Sequence, residues 1–224
     1  MSMCLLPNTL INSLERLPSN VPVAGLIRHA EREPFVRGEF GHEVNLTANG
    51  RISCQQLGKR LDKQLVGLYT SPVKRCYQTA QWLGFLPIQT SEVLGDPGIF
   101  ITDPHRAHFY CRQQEPFVIV QQLLANQKNP PGFCHSTSKA VFNLIQFLLV
   151  RLVSPGLSLF ITHDSILSVV LGTFFDTFSL EWLWPTYLDG VFFWMDKGQL
   201  AAVYKGNHKI LHDFYQDDIH EAGI

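Results

Sequence analysis

One stretch constrains this chain more than any other: Val23-Ala24-Gly25-Leu26-Ile27-Arg28-His29-Ala30-Glu31-Arg32-Glu33-Pro34. An apolar run stops at Arg-His, and four charged residues crowd the six positions from Arg28 to Glu33. Open α/β sheets place their ligand sites where a buried strand ends in such a turn, at the carboxyl edge of the sheet. Taken alone, the segment reads equally as a strand followed by a solvated polar loop.

Two later segments break the tie. Tyr69-Thr70-Ser71-Pro72-Val73-Lys74-Arg75 and Leu157-Ser158-Leu159-Phe160-Ile161-Thr162-His163-Asp164 repeat the same order: short apolar strand, polar turn, helix. Three strand ends then bring together Arg28, His29, Arg32, Arg75, His163 and Asp164. Guanidiniums, imidazoles and a carboxylate suit a phosphoryl group. They supply fixed donors for its oxygens, a ring nitrogen to attack phosphorus, and an acid for the leaving group.

These segments resemble the histidine phosphatase superfamily. RHAEREP at 28–34 is similar to the Arg-His-Gly-x-Arg-x-Pro motif of its acid-phosphatase branch, with Ala30 in place of Gly. THD at 162–164 is similar to that branch's His-Asp motif. LTANGRISCQQLGKRL at 46–61 and SPVKRCYQTA at 71–80 resemble two further segments of the family, in the family's order. The resemblance spans about residues 22–175 and implies an α/β fold: a three-layer α/β/α sandwich with a mostly parallel central sheet and a small cap insertion.

It also implies roles. His29 is the nucleophile and becomes a phosphohistidine; Arg28, Arg32, Arg75 and His163 hold the phosphoryl oxygens. Three arginines around His29 disfavour a further positive charge and keep the imidazole neutral. Asp164 is the general acid, with Glu31 and Glu92 as competing acids; in the family's other branch a glutamate near the position of Glu92 has that role. No cofactor and no metal is implied, because the arginines neutralise the charge. Ala30 places a methyl group beside the nucleophile, where Gly is normally chosen for close approach or a positive φ, and is a caution about rate.

Composition narrows the classes. At 224 residues, with 46% hydrophobic and 17% charged residues, the chain reads as one globular domain over 1–224 with an insertion at about 91–134. A net charge of −1 lacks the basic excess of a general nucleic-acid binder. Cys4, Cys54, Cys76, Cys111 and Cys134 are odd in number and widely spaced, without a Cys-x-x-Cys pair; this favours a reducing compartment and, with no basic leader at the N-terminus, a cytoplasmic location. The expected partner is a small-molecule or peptide phosphomonoester, with neither nucleic acid nor membrane; the oligomeric state is open.

The remaining elements follow from pattern. Helices are expected at 8–17, at 48–65 with Thr47 as N-cap, after Ser71-Pro72 as cap and first turn, at 136–153, and from His163 to about Phe175. Gly58 suggests close packing of its helix on the sheet. The loop 30–45, with Phe35, Arg37, Phe40, His42 and Glu43, borders the pocket or lies on the surface. Segment 91–134 is rich in turn formers, with helices near 104–112 and 115–126; His105, His108 and Arg112 share a face of the first. Trp182, Trp184 and Tyr187 read as packing aromatics, 191–204 as a hairpin, and 208–224 as a tail that is frayed or lightly docked.

The first function is therefore a metal-independent phosphomonoesterase. Two others stay open: a phosphate-pocket binding protein without turnover, which Ala30 mildly favours, and a phosphomutase.

Overall fold

The computed structural model describes residues 6–35, 41–125, 129–175 and 179–211. Arg37, Phe40, Cys4 and the tail beyond residue 211 lie outside them. Helix α1 (Asn8–Leu14) precedes β1 (Pro22–Arg28); α2 (Ala48–Leu61), β2 (Leu65–Thr70), α3 (Lys74–Leu83) and β3 (Gln89–Thr90) follow. After a 3-10 turn at Glu92–Leu94 come α4 (Pro104–Cys111), α5 (Pro116–Leu124) and α6 (Thr137–Leu149). Strand β4 (Gly156–Thr162), α7 (Asp164–Phe174), α8 (Leu180–Leu183), β5 (Gly190–Asp196), β6 (Gln199–Tyr204) and β7 (Asn207–Leu211) complete the chain.

The seven strands form one sheet in the order β3-β2-β4-β1-β5-β6-β7. β1 to β4 pair in parallel, and β5 to β7 add an antiparallel edge. The chain leaves β1 for β2 and later returns to insert β4 between them. That insertion puts the carboxyl ends of β1, β2 and β4 side by side, the crevice where doubly wound sheets take ligands.

Strand residues alternate between two cores, as the two-residue period of a strand requires. Val23, Ile27, Leu157, Leu159, Ile161 and Phe192 face α1, α2 and α3. Ala24, Leu26, Phe160, Val191 and Phe193 face α5, α6 and α7. The sheet is thus the middle layer of an α/β/α sandwich. Segment 91–134 contributes Leu94, Phe100, Ile119, Val120 and Leu123 to the second core. No helix among the described residues is long and apolar enough to cross a membrane.

Three expectations change. Helix α3 begins at Lys74 with Val73 at its N-cap, so Ser71 and Pro72 precede the helix; the Ser71 hydroxyl is engaged elsewhere. Gly58 serves a helix–helix approach, since a Cβ there would collide with the Leu83 carbonyl at the end of α3. Residues 208–211 are neither frayed nor lightly docked: they belong to β7, paired with β6 from Leu200↔Leu211 to Tyr204↔Asn207. The signal was a second Lys-Gly turn. Lys197-Gly198 and Lys205-Gly206 both have positive φ at both positions, the geometry that matches the twist of a two-residue hairpin.

Candidate active site

Arg28 and His29 leave β1 at its carboxyl end; His163 and Asp164 leave β4, and Thr70-Ser71 leave β2 just ahead of Arg75. The His29 backbone N–H donates to the Thr162 carbonyl at 3.0 Å, extending the β1–β4 ladder by one bond into the site. The Ala30 N–H donates to Thr79 Oγ1 at 3.0 Å, and the Thr79 hydroxyl donates to the Arg75 carbonyl at 2.7 Å. Helix α3 therefore holds the turn after the nucleophile candidate and the arginine that faces it.

His29 Nδ1 lies 2.8 Å from the Ala30 carbonyl, so Nδ1 carries the proton and donates. Nε2 is left with its lone pair and accepts from Arg75 Nε at 3.1 Å. Arg75 Nη2 donates to His163 Nδ1 at 3.0 Å, and Nη1 donates to the Gly41 carbonyl at 2.8 Å. One guanidinium bridges the two imidazoles, whose ring centroids are 5.7 Å apart.

Arg28 is tied from three sides. Its Nη2 pairs with Asp164 Oδ2 at 2.6 Å, its Nη1 donates to the Pro185 carbonyl at 2.8 Å, and its Cζ sits 4.2 Å from the centre of the Tyr187 ring. The buried Nε has no partner among the described residues. Tyr187 also lies 5.8 Å from the His29 ring, so this packing aromatic borders the candidate site.

Both imidazoles are buried and are held well below the usual histidine pKa of 6.5. For His29 burial is the main cause, followed by His163 and Arg75; Arg28 adds a smaller share. Burial again leads for His163, with Arg75, His42 and Arg28 behind it. Desolvation, more than the arginine charges expected from sequence, keeps His29 neutral. Burial also pushes the Cys76 thiol, directly beneath His163, up to about 12, so it stays protonated.

The other sequence candidates sit outside this cluster. Arg32 stacks 4.1 Å over Phe35 and donates to the Glu33 carbonyl, although it is near enough to depress Arg75. Glu31 Oε1 accepts from the Thr47 hydroxyl at 2.9 Å, within the N-cap of α2, while Thr47 Oγ1 itself accepts from the Gly50 N–H. Glu92 is exposed on the 3-10 turn. Among the described residues no group of three metal-ligating side chains is present. Of the loop residues at 30–45, His42 lies 3.7 Å from Asp96 at the rim.

Ala30 is explained by its surroundings. It is not among the non-glycine residues with positive φ. Its methyl is fully buried beside Ile27, Leu46, Cys54 and Cys76 in the first core. The side chain points into packing, so Ala needs no backbone strain at this position.

Missed by pattern were Ser71, Thr79 and Gly95. Ser71 reads as a helix cap, and Thr79 appears only within the 71–80 segment. Gly95 lies at φ +133, and a Cβ there would overlap the His163 ring; the Gly between Leu94 and Asp96 was its only sequence trace.

The chain is similar to known proteins in part of its sequence and in its fold. The model of the histidine phosphatase superfamily (branch 1) matches residues 25–97. The fold is similar to a mutant phosphoserine phosphatase from Entamoeba histolytica solved with phosphoserine: TM-score 0.57 and 17% identity, covering 82% of this chain and 96% of that one. It is also similar to a mycobacterial hydrolase (TM-score 0.54, 14% identity, 82% and 96% covered) and a mycobacterial glucosyl-3-phosphoglycerate phosphatase solved with vanadate (0.50, 15%, 77% and 92%). The match is to branch 1, whereas the 28–34 and 162–164 motifs resemble the acid-phosphatase branch. The chain thus matches the family model over residues 25–97, and its fold is similar to these solved structures over about four-fifths of its length.

Proposed function

We propose that this protein hydrolyses a phosphomonoester through a phosphohistidine on His29 Nε2. One observation carries the reading: Nε2 keeps its lone pair because Nδ1–H is committed to the Ala30 carbonyl, and that lone pair faces guanidiniums in a buried site. A neutral, oriented imidazole beside fixed cations is what attack on a phosphoryl group requires.

In the first step Nε2 forms a bond to phosphorus and the bond to the leaving oxygen breaks. Arg28 and Arg75 neutralise the charge on the phosphoryl oxygens, which is the main work of phosphoryl transfer. Asp164, which must be protonated in the substrate complex, gives that proton to the leaving oxygen. Water then attacks phosphorus, the Nε2–P bond breaks, and Asp164 takes the water's proton. Glu92 is the second candidate for the acid, favoured by the branch 1 match and by its exposure. Arg32 and Glu31 support the turn between β1 and α2. Small phosphorylated metabolites are the first substrates to try, since the similar structures include a phosphoserine phosphatase and a glucosyl-3-phosphoglycerate phosphatase.

The test is phosphate release from a panel with phosphoserine, 3-phosphoglycerate and glucosyl-3-phosphoglycerate, in EDTA, for wild type and His29→Ala. Release should resist EDTA and fall by about 10³-fold or more in the variant. Asp164→Asn and Glu92→Gln then assign the acid: the true acid's loss should matter less for an activated aryl phosphate, whose leaving group needs no proton. Folded wild type that binds vanadate but releases no phosphate from any substrate overturns the hydrolase reading in favour of the binding protein. Turnover that requires a bisphosphate would mark a mutase.

A further inference from the structure

We propose that Ser71 is a positioning residue that locks His163 with its proton on Nε2, so that entry of a tetrahedral dianion is coupled to uptake of a proton on His163 Nδ1. This rests on the phosphoryl-site reading above.

The protons can be placed one by one. Arginine has only donors, so the 3.0 Å contact from Arg75 Nη2 makes His163 Nδ1 an acceptor. The ring proton therefore sits on Nε2, 3.0 Å from Ser71 Oγ, and donates to it. The Ser71 hydroxyl has one proton, and the Gly95 carbonyl at 2.9 Å can only accept it. Ser71 Oγ also accepts from the Val73 N–H at 3.3 Å. Both lone pairs and the single proton of the hydroxyl are thereby used. Reversing the bond to His163 would leave the Gly95 carbonyl without this donor and set two N–H groups against each other at Nδ1.

The Nε2 edge is also closed off. Ser71 is fully buried, and the absence of a side chain at Gly95 lets that loop press on the ring. The Thr162 hydroxyl anchors the same loop by donating to the Leu94 carbonyl at 2.7 Å. The tautomer is thus held by parts of β2, the 3-10 turn and β4 together.

Arg75 occupies the lone pairs of both imidazoles before any anion arrives. For a phosphoryl group to reach His29 Nε2, the Arg75 Nε–H must leave it and turn to the phosphoryl oxygens. His163 Nδ1 then presents a bare lone pair toward those oxygens. A neutral ring able to exchange tautomers would move its proton to Nδ1; the Ser71–Gly95 relay prevents that. A proton from solvent binds Nδ1 instead, and the imidazolium donates from both nitrogens, to Ser71 and to the anion. The groups facing His163 are Arg75 and Cys76 from α3, His29 and Arg28 from β1, Asp164 through Arg28, and His42 at the rim. Among them the net charge is positive, so the ring is neutral without an anion, and a dianion reverses that balance.

Sulfate is the probe, because it stays a dianion and brings no proton. Calorimetric titration in buffers of different ionisation enthalpy counts the protons taken up, on wild type, Ser71→Ala and His163→Gln. Wild type should take up at least about one proton per sulfate, and both variants about one fewer, with any uptake at His29 common to all three. Wild-type affinity should fall about tenfold for each pH unit raised above neutrality by the His163 proton, a dependence that Ser71→Ala loses. Sulfate binding to wild type without proton uptake overturns the proposal and leaves the phosphoryl site standing. Ser71→Ala with undiminished uptake overturns the role of Ser71. If wild type binds neither sulfate nor vanadate, the phosphoryl site itself fails and the proposal with it. Should Ser71→Ala not fold, the wild-type and His163→Gln counts still decide the protonation.

Discussion

The two halves of the sheet bury different chemistry. In the parallel half, the ends of β1, β2 and β4 bury Arg28, His29, Thr70, Ser71, Thr162 and His163 side by side. In the antiparallel half, β5 and β6 bury Val191, Phe192, Phe193, Trp194, Ala201, Ala202, Val203 and Tyr204, with one carboxylate, Asp189, at the entrance to β5. Parallel strands all end on the same edge, so their terminal side chains converge and can satisfy one another. Antiparallel neighbours end on opposite edges, and what they bury between turns is packing. Function gathers where strand direction concentrates polar ends.

The comparison breaks first at Phe192. It pairs with Gly25 across β1 and β5, and a Cβ on Gly25 would lie 2.7 Å from its ring. The aromatic fills the space that the glycine leaves. Phe192→Ala should cost about 3–5 kcal/mol in urea denaturation. Sulfate affinity of the folded fraction should stay within about twofold if the two halves are independent. A large loss of affinity would show that the antiparallel half shapes the site directly.

Acid separates the halves more gently. His29 and His163 are held well below 6.5 in the fold, whereas the unfolded chain protonates them near that value. Below about pH 6.5 the unfolded state thus binds more protons, and stability falls with falling pH until the folded values are reached. Each histidine contributes about 1.4 kcal/mol per pH unit in that window. Denaturation midpoints at about pH 7 and about pH 5.5 should differ, and His163→Gln should reduce the difference. An unchanged pH dependence in that variant would mean that His163 is already charged in the folded protein.

The smallest effect is expected at Ala30. Its methyl belongs to the core, and its φ is not positive. Ala30→Gly should destabilise by about 1 kcal/mol and leave turnover within about threefold. A large gain in turnover would show instead that the methyl crowds the incoming phosphoryl group.

How far the site could be read from the chain depends on how each residue reaches it. Arg28-His29 and His163-Asp164 are legible because each directly follows an apolar strand. Tyr187 was not: it arrives because β5 runs antiparallel to β1, with Ile27 opposite Gly190, so the residues before β5 lie beside the end of β1. Pattern alone carries no register between strands separated by more than 150 residues. Ser71 carried a misleading local signal, since Ser-Pro is a good helix start. Its hydroxyl found stronger partners in His163 and Gly95. Arg32 and Glu31 share a motif with His29 and still turn away, to Phe35 and Thr47.

Local pattern was enough for the alternating strands and helices, the Thr47 cap, the first Lys-Gly turn and the strand-end arginine and histidines. Each of these follows from backbone preference or from the period of apolar residues, quantities that belong to short segments. Which protons lie on which ring nitrogens, why His29 is neutral, and which charged residues join the cluster were settled by tertiary packing. Those properties depend on desolvation and on hydrogen-bond partners from β1, β2, α3, the 3-10 turn and β4 at once. Such partners become neighbours only after the sheet has ordered its strands.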